Sequence, residues 1–459
     1  MSGLAVRVDS SEIVPLVDEG LGNSSYLVSL GDGRGLVVDP RRDPTPYLEM
    51  AERLNLRIAF VVETHLHADF ISGSGELATF GATVLAPAAS HLATAYRGLE
   101  DGEEVDLGGL TLRAMATPGH TPEHLSYLLL DGPKPLALFS GGAVLPGGAA
   151  RPDLIGPEQT EPLAHDLCRT ARKRLGGLPD DLAVYPTHGA GSFCSAGAGG
   201  QRTTTLGRER QESPLFTAVA EEAFVHSFLN SLGTYPPYFL RLRSVNQRGT
   251  RLYGVKRPEL ARLSIDAFRG QLAAGAILID VRPLVDFARG HILGALSIAL
   301  RPAFASWLGW IVAAERPLVF VRAPGQDERD LVEQCLKIGY ENLVGELEGG
   351  IDAWRAAGLP VSTIGIRQVN EEPQGTPLDV RQASEWANGH IPGAKHVELG
   401  SVSGSAGAVP AGPLTIYCGH GERAMTAASL LEAQGHGSLA VLDGGFEAWR
   451  DAHRPIDIG

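Results

Sequence analysis

Short apolar runs separated by polar loops dominate residues 1 to about 195. "IAFVVET" (58–64) is a continuous apolar run rich in β-branched residues, which predicts a buried strand running straight into "THLHADF" (64–70). "LTLRAMATPGHTPEHLSYLLL" (110–130) predicts two strands around a turn, and "PLALFSGG" (135–142) a further strand ending in glycines. Strands that each deliver a polar loop at their C-terminal end make a scaffold on which a site can be built. "SAGAGGQRTTTLGRERQ" (195–211) reads as a flexible stretch, followed by a helical segment and "YPPYFLRLRSVNQRG" (235–249).

From about residue 258 the pattern repeats. "ILIDVRPLVDFARGHILGALSI" (277–298) matches "TPLDVRQASEWANGHIPGAKHV" (376–397), and "LEGGIDAWRAAGLPV" (347–361) matches "LDGGFEAWRDAHRPI" (442–456). Asp280 thus recurs as Asp379 and Trp354 as Trp449, at nearly the same spacing. Each copy reads strand, helix, strand, helix, which predicts a small α/β domain with a parallel sheet. With 459 residues the length suggests about three domains. The expected boundaries are 1–250, 258–362 and 366–459.

Composition narrows the function classes. A hydrophobic share of 44% with 20% charged residues is ordinary for a globular chain with a sizeable core. A net charge of −14 argues against nucleic acid and against an anionic membrane surface. No basic stretch followed by an apolar run opens the chain, and no long uncharged apolar stretch follows, so a cytoplasmic protein outside the membrane is expected. Four cysteines (Cys168, Cys194, Cys335, Cys418) over this length do not make a disulfide framework.

Cys418 differs from the other three, which read as buried core cysteines. "IYCGHGER" places it directly after an apolar strand, in a loop that opens a helix. Backbone N–H groups of Gly419, His420, Gly421 and Glu422, with the helix N-terminus, favour negative charge at one spot. Arg423 adds a full positive charge. These are the requirements of a nucleophilic cysteine beside a bound anion. In the first copy Arg322 stands where the cysteine should be and Asp327 where Arg423 should be.

The segments Asp379–Arg381, Gly389–Ala394, Cys418–Arg423 and Gly444–Trp449 together resemble a rhodanese domain. That resemblance implies sulfurtransferase activity, in which Cys418 attacks a sulfane sulfur, carries it as a persulfide and passes it to a thiophilic acceptor. Phosphatases use a similar cysteine loop, but six residues favour sulfur over the larger phosphate. The first copy resembles the same fold without its chemistry and is expected to act as a spacer or docking domain.

In the N-terminal region His65 and His67 leave an extended segment at i and i+2, a spacing that can chelate one ion. His120 ("TPGHTPEH") and His188 ("YPTHGAGSFC") sit in glycine loops after strands, and three loops bringing histidine to strand ends is what a metal centre needs. His91, His165 and His226 lack that context. Arg208, Arg241 and Arg243 read as solvated surface arginines, the other reading being a grip on a substrate carboxylate.

These segments resemble the metallo-β-lactamase fold, an αββα sandwich, and most closely the persulfide dioxygenases, where fusion to rhodanese repeats is known. The resemblance implies iron that oxidises a glutathione or other thiol persulfide. It implies iron ligands at His65, His120 and an aspartate, but Gly142 stands in the aspartate's place. Phe70 replaces the histidine that would serve a second metal. One Fe(II) or Zn(II), weakened by the missing carboxylate, is therefore expected on His65, His67 and His120, with Asp69 and His188 as further candidates. A mononuclear zinc hydrolase and a non-catalytic persulfide- or glutathione-binding module are the alternatives. Thiol persulfide, thiosulfate or glutathione are the expected small-molecule partners, and a homo-oligomer is expected.

Overall fold

The computed structural model describes residues 6–8, 11–196, 200–404 and 407–458. Two compact units divide the chain, Met1–Pro258 with Glu333–Gly339, and Glu259–Val332 with Tyr340–Gly459.

Two sheets form the first unit's core. One has seven strands in chain order. Its first four (Val6–Val8, Ser11–Asp18, Asn23–Ser29, Arg34–Val38) run as an antiparallel meander, and Arg57–Val62, Thr83–Pro87 and Arg97–Leu99 continue it in parallel. The other has six strands in the order Thr204–Thr205, Ala183–Pro186, Lys134–Gly141, Leu125–Asp131, Leu110–Ala116, Glu104–Asp106. Tyr26, Val28, Leu36 and Val62 of the first sheet pack with Leu112, Tyr127, Leu129 and Phe139 of the second. Leu128, Leu130 and Leu138 point the other way and are covered by Leu167, Ala171 and Phe224 of helical segments. Tyr47 and Ala51 of the helix Thr45–Arg53 cover Leu27, Val37 and Val61 on the far side. Strands buried on both faces read as continuous apolar runs rather than alternating ones, as "IAFVVET" does. The result is the expected αββα sandwich.

The stretch read as flexible is partly ordered. Ser195–Ala196 pairs antiparallel with Ala149–Ala150, and Thr204–Thr205 leads into the helix Leu206–Glu212, whose first turn is capped by the Thr205 hydroxyl. Residues 197–199 of it lie outside the described residues.

The second unit holds two five-stranded parallel sheets of identical strand order. They are Arg262–Leu263, Leu343–Leu347, Leu318–Val321, Ile277–Asp280, Leu296–Ser297, and Gly365–Arg367, Leu439–Leu442, Leu414–Tyr417, Thr376–Asp379, Lys395–His396. The shared Asp-Val-Arg motif has the same role in both. Arg282 pairs with buried Asp280 at 2.6 Å and donates to the Gly290 carbonyl at 3.0 Å; Arg381 does so with Asp379 at 2.6 Å and Gly389 at 2.7 Å. The two copies are joined through the helix Glu422–Ala433. Thr426 donates to the Ser297 carbonyl at 2.6 Å, and Glu432 meets the His291 ring at 2.7 Å. Among the described residues no helix is long and apolar enough to cross a membrane.

Candidate functional sites

In the second copy, Cys418 follows the strand Leu414–Tyr417 and precedes the helix Glu422–Ala433, as the sequence predicts. Its sulfur is buried and accepts the Gly421 N–H at 3.1 Å. Gly421 adopts φ +118°, a conformation glycine tolerates and side chains resist. Gly419 is buried with Cys418, Glu422 is half-buried, and His420 faces solvent. Arg423 lies against this loop and is held by two parallel bonds to Glu385 at 2.6 and 2.7 Å. Burial works against its charge, yet the Glu385 bonds and the Cys418 sulfur hold it protonated above its ordinary value. Trp307 of the first copy lies 5.6 Å from the guanidinium, in cation–π range.

The corresponding loop of the first copy is filled by Arg322, which donates to Glu346 at 2.9 Å and reaches Glu328 at 3.3 Å. A cavity of about 540 Å³ beside it is lined by Arg262, Arg282, Arg289 and Arg355 as well. Cys335 sits in the helix Glu328–Leu336, fully buried, and burial pushes its thiol far up. The first copy thus offers no nucleophilic sulfur at the equivalent point.

In the first unit, His65, His67, His120 and His188 come together, all buried. His65 stands 4.7 Å from His120 and 5.4 Å from His188, ring centre to ring centre. Hydrogen bonds fix the tautomer of three of them. Thr64 gives its single proton to Asp39, so its oxygen accepts from His65 Nδ1 at 2.8 Å. His120 Nδ1 donates to the Arg151 carbonyl at 2.6 Å. His188 Nδ1 faces only acceptors, Asn23 Oδ1 and Asp69 Oδ2, each at 3.3 Å. All three rings therefore turn an Nε2 lone pair away from these anchors. The Nε2 atoms of His65 and His188 face each other at 3.4 Å. Two nitrogens on one tetrahedral ion with 2.0–2.1 Å bonds lie roughly 3.4 Å apart, so the pair fits a shared cation. Burial pushes the pKa of His65 and His120 well down, keeping both neutral as ligands must be.

His67 behaves differently. Its Nε2 contacts Glu63 at 2.9 Å and Asp39 at 3.3 Å, and Phe70 stacks on its ring at 4.2 Å. Burial opposes its charge, but the pull of Asp39 and bonds to both carboxylates push it up to about 10. It belongs both to a grouping with His65 and His188 and to one with Asp39 and Glu63. Asp69 stands behind His188: one oxygen accepts from Asn23 at 2.8 Å, and the carboxylate also reaches the Cys194 thiol.

Among the described residues, no group of neighbouring donors joins two histidines to one carboxylate, the face that suits non-haem iron. A Cβ on Gly142 would lie 2.6 Å from Cδ2 and 2.8 Å from Cγ of His120, so an imidazole already fills the space of a side chain there. The backbone N–H of Gly142 donates to His124 Nε2 at 2.9 Å, while His124 Nδ1 meets Thr117 at 2.8 Å. Burial lowers His124 to about 4, and with both nitrogens committed it serves the loop, a role the sequence reading missed. Glu123 braces the same site: it accepts from the Leu66 N–H at 3.0 Å and is clamped by Arg243 at 2.7 Å on both oxygens. Arg243 is therefore a structural partner rather than a solvated surface arginine, whereas Arg208 pairs with Glu212 on the surface. A cavity of about 340 Å³ opens beside His65 and His67, walled by Leu66, Val84 and Leu252 with Ser72 and Thr94.

With this geometry in view, two family models match the chain: the metallo-beta-lactamase superfamily over residues 18–188, and the rhodanese-like domain over residues 264–357 and 367–452. The class is thus a metallo-β-lactamase-fold domain fused to two rhodanese-like domains. The chain is similar to persulfide dioxygenase ETHE1, mitochondrial, from Homo sapiens, at 29% identity over 43% of this chain and 73% of that one. It is 30% identical to its Bos taurus counterpart over 43% of this chain and 74% of that one. A metallo-beta-lactamase from Staphylococcus aureus subsp. aureus COL matches in structure with a TM-score of 0.66 and 26% identity, covering 74% of this chain and 99% of that one. The chain belongs to the persulfide dioxygenase family.

Proposed function

We propose that this protein works in persulfide metabolism as a sulfurtransferase, with Cys418 the sulfur carrier. The supporting observation is the Cys418 sulfur, bonded to the Gly421 N–H and flanked by the Arg423 guanidinium in a loop that opens a helix. With thiosulfate as donor, the thiolate attacks the outer sulfur. A new S–S bond forms as the old one breaks, and sulfite leaves with the electron pair. Arg423 and the loop amides offset the anionic charge of donor and persulfide. Cyanide or a thiol then attacks the outer sulfur of the persulfide, releasing thiocyanate or a new persulfide and restoring the Cys418 thiolate. The N-terminal domain, by its kinship with persulfide dioxygenases, handles small thiol persulfides of the glutathione type, with iron-dependent oxidation impaired by Gly142. The first rhodanese-like domain supports Arg423 through Trp307 and holds the helix after the Cys418 loop.

The test is thiosulfate:cyanide sulfurtransfer by the full chain and by Cys418→Ala. Turnover is expected in the first and background in the second; equal rates defeat the reading. Oxygen uptake with glutathione persulfide at the rate of an intact dioxygenase would overturn the claim of impairment.

A further inference from the structure

The corner that lacks a carboxylate at Gly142 borders another donor. The Gly142 carbonyl accepts from the Ala150 N–H at 2.9 Å, and Ala149–Ala150 pairs antiparallel with Ser195–Ala196. This short ribbon brings the preceding residue, Cys194, to the histidines. Arg151 ties the two together: its N–H donates to the Cys194 carbonyl at 2.8 Å, and its carbonyl holds His120 Nδ1. The Cys194 sulfur, one His120 nitrogen and one His188 nitrogen all lie within 4.8 Å of one another, every residue buried. A second observation points to the same spot. Asp69, which fixes His188, also reaches the Cys194 thiol through a hydrogen bond, so one carboxylate braces two of the three donors.

We propose that His120, His188 and Cys194 hold a divalent metal ion, a nitrogen–sulfur donor set in which the Cys194 thiolate replaces the carboxylate missing at Gly142. His65, whose Nε2 faces that of His188, borders this group without belonging to it. On coordination the thiol gives its proton to solvent and the sulfur supplies the electron pair to the metal. Imidazole and thiolate donors together favour zinc, and zinc stands above iron(II) in the general order of affinity. The site is therefore a zinc site rather than an oxygen-activating iron site. This goes beyond the sulfur-carrier reading and does not depend on it.

Cobalt(II) reports the donor set because a thiolate ligand gives it an intense sulfur-to-metal absorption in the near ultraviolet. The full chain carrying Cys418→Ser, which removes the other reactive thiol and all sulfur transfer, is stripped with a chelator and titrated with cobalt(II) without oxygen. One equivalent is expected to bind with that band, and zinc is expected to displace it. Adding Cys194→Ser should abolish the band and weaken cobalt binding by about tenfold or more. Cobalt bound without the band, a band that survives Cys194→Ser, or no cobalt bound at all would each overturn the proposal. The first and last are read on protein with Cys194 intact, so a misfolded Cys194→Ser variant does not blunt the test.

Discussion

Gly445 and Gly350 occupy equivalent positions in the two rhodanese-like domains, which makes them a matched pair for testing what the Cys418 loop requires. Both are left-handed, at φ +61° and +58°. Replacing either with alanine incurs the same conformational penalty, roughly 1–2 kcal/mol. Their surroundings differ. A Cβ on Gly350 meets only the Arg322 carbonyl oxygen, at 3.1 Å, whereas one on Gly445 lies 2.4 Å from the Cys418 oxygen and 2.6 Å from that of Gly419. Those atoms are backbone and yield only if the loop moves. Its anchors then suffer: Phe446 N–H donates to the Cys418 carbonyl at 2.7 Å, and Glu447 N–H to that of Gly419 at 3.1 Å. Overpacking of this kind costs about 1–3 kcal/mol more. Gly445→Ala should therefore destabilise by roughly 2–5 kcal/mol and Gly350→Ala by roughly 1–2 kcal/mol. If even 1.4 kcal/mol of that appears in the sulfur-transfer barrier, turnover falls about tenfold. Thermal unfolding followed by tryptophan fluorescence, beside thiosulfate:cyanide turnover, measures both effects. Gly350→Ala should keep near-wild-type turnover. Equal losses in the two variants, or an active Gly445→Ala, would refute the claim that loop placement at Cys418 depends on this close approach.

Glu385→Gln removes the partner that aligns Arg423. Since solvent reaches Glu385, the stability loss should be only about 1 kcal/mol, with the larger effect on KM for thiosulfate. Burial raises the Glu385 pKa, but the bonds to Arg423 outweigh it and leave it below the ordinary value. The pair's contribution is thus full above the usual glutamate range near 4.3 and lost as pH falls through the lowered native value; Glu385→Gln should flatten that acid limb in a pH series of melting temperatures. Arg243→Gln strands the buried Glu123 carboxylate and loosens Leu66 between the two histidines. A loss of roughly 3 kcal/mol is expected in thermal unfolding, and a change below about 1 kcal/mol would contradict the brace. Gly142→Asp forces its Cβ into the His120 ring, so it should cost about 1–3 kcal/mol and fail to confer iron binding. A stable variant with stoichiometric iron by elemental analysis would show that the ring gives way.

What the sequence made legible was whatever lies close together along it. The strand, loop and helix around Cys418 are continuous in the chain, and the repeat exposed the Arg322 substitution by simple comparison. The buried strands around "THLHADF" were legible because strands covered on both faces leave unbroken apolar runs. Partners from distant segments were not. Thr64 fixes His65 only because Asp39 takes its proton, and Arg151 fixes His120 through a backbone carbonyl that carries no side-chain signature. His124 sits four residues from His120 in the same loop, and only the fold shows that the Gly142 N–H consumes it. Cys194 is buried, as expected of a core cysteine, and its place beside His120 and His188 comes through the ribbon at Ala149–Ala150. The one available signal was its place in the same glycine loop as His188.

The two rhodanese-like copies show how far a motif can be trusted as a sign of chemistry. Asp280–Arg282 and Asp379–Arg381 make the same buried ion pair and reach the same glycine carbonyl, and Trp354 and Trp449 donate to Pro360 and Pro455 at 2.9 and 2.8 Å. These contacts hold the sheet and its final helix together whether or not a nucleophile is present, so they occur equally in the copy with Arg322 in the cysteine's place. The proposed sulfur chemistry depends instead on a few atoms at the loop. Where Cys418 presents a sulfur to an N–H group, Arg322 fills the equivalent space and neutralises itself on Glu346 and Glu328. A lone Arg322→Cys exchange would leave Glu346 and Glu328 sharing Arg262 alone, two carboxylates to one guanidinium, and an excess of like charge beside a thiolate raises its pKa. Sulfur transfer at the first copy therefore should not return with the cysteine alone, and thiosulfate:cyanide turnover by Arg322→Cys in a Cys418→Ala background should stay at background; activity there would place the deficit in the missing sulfur only.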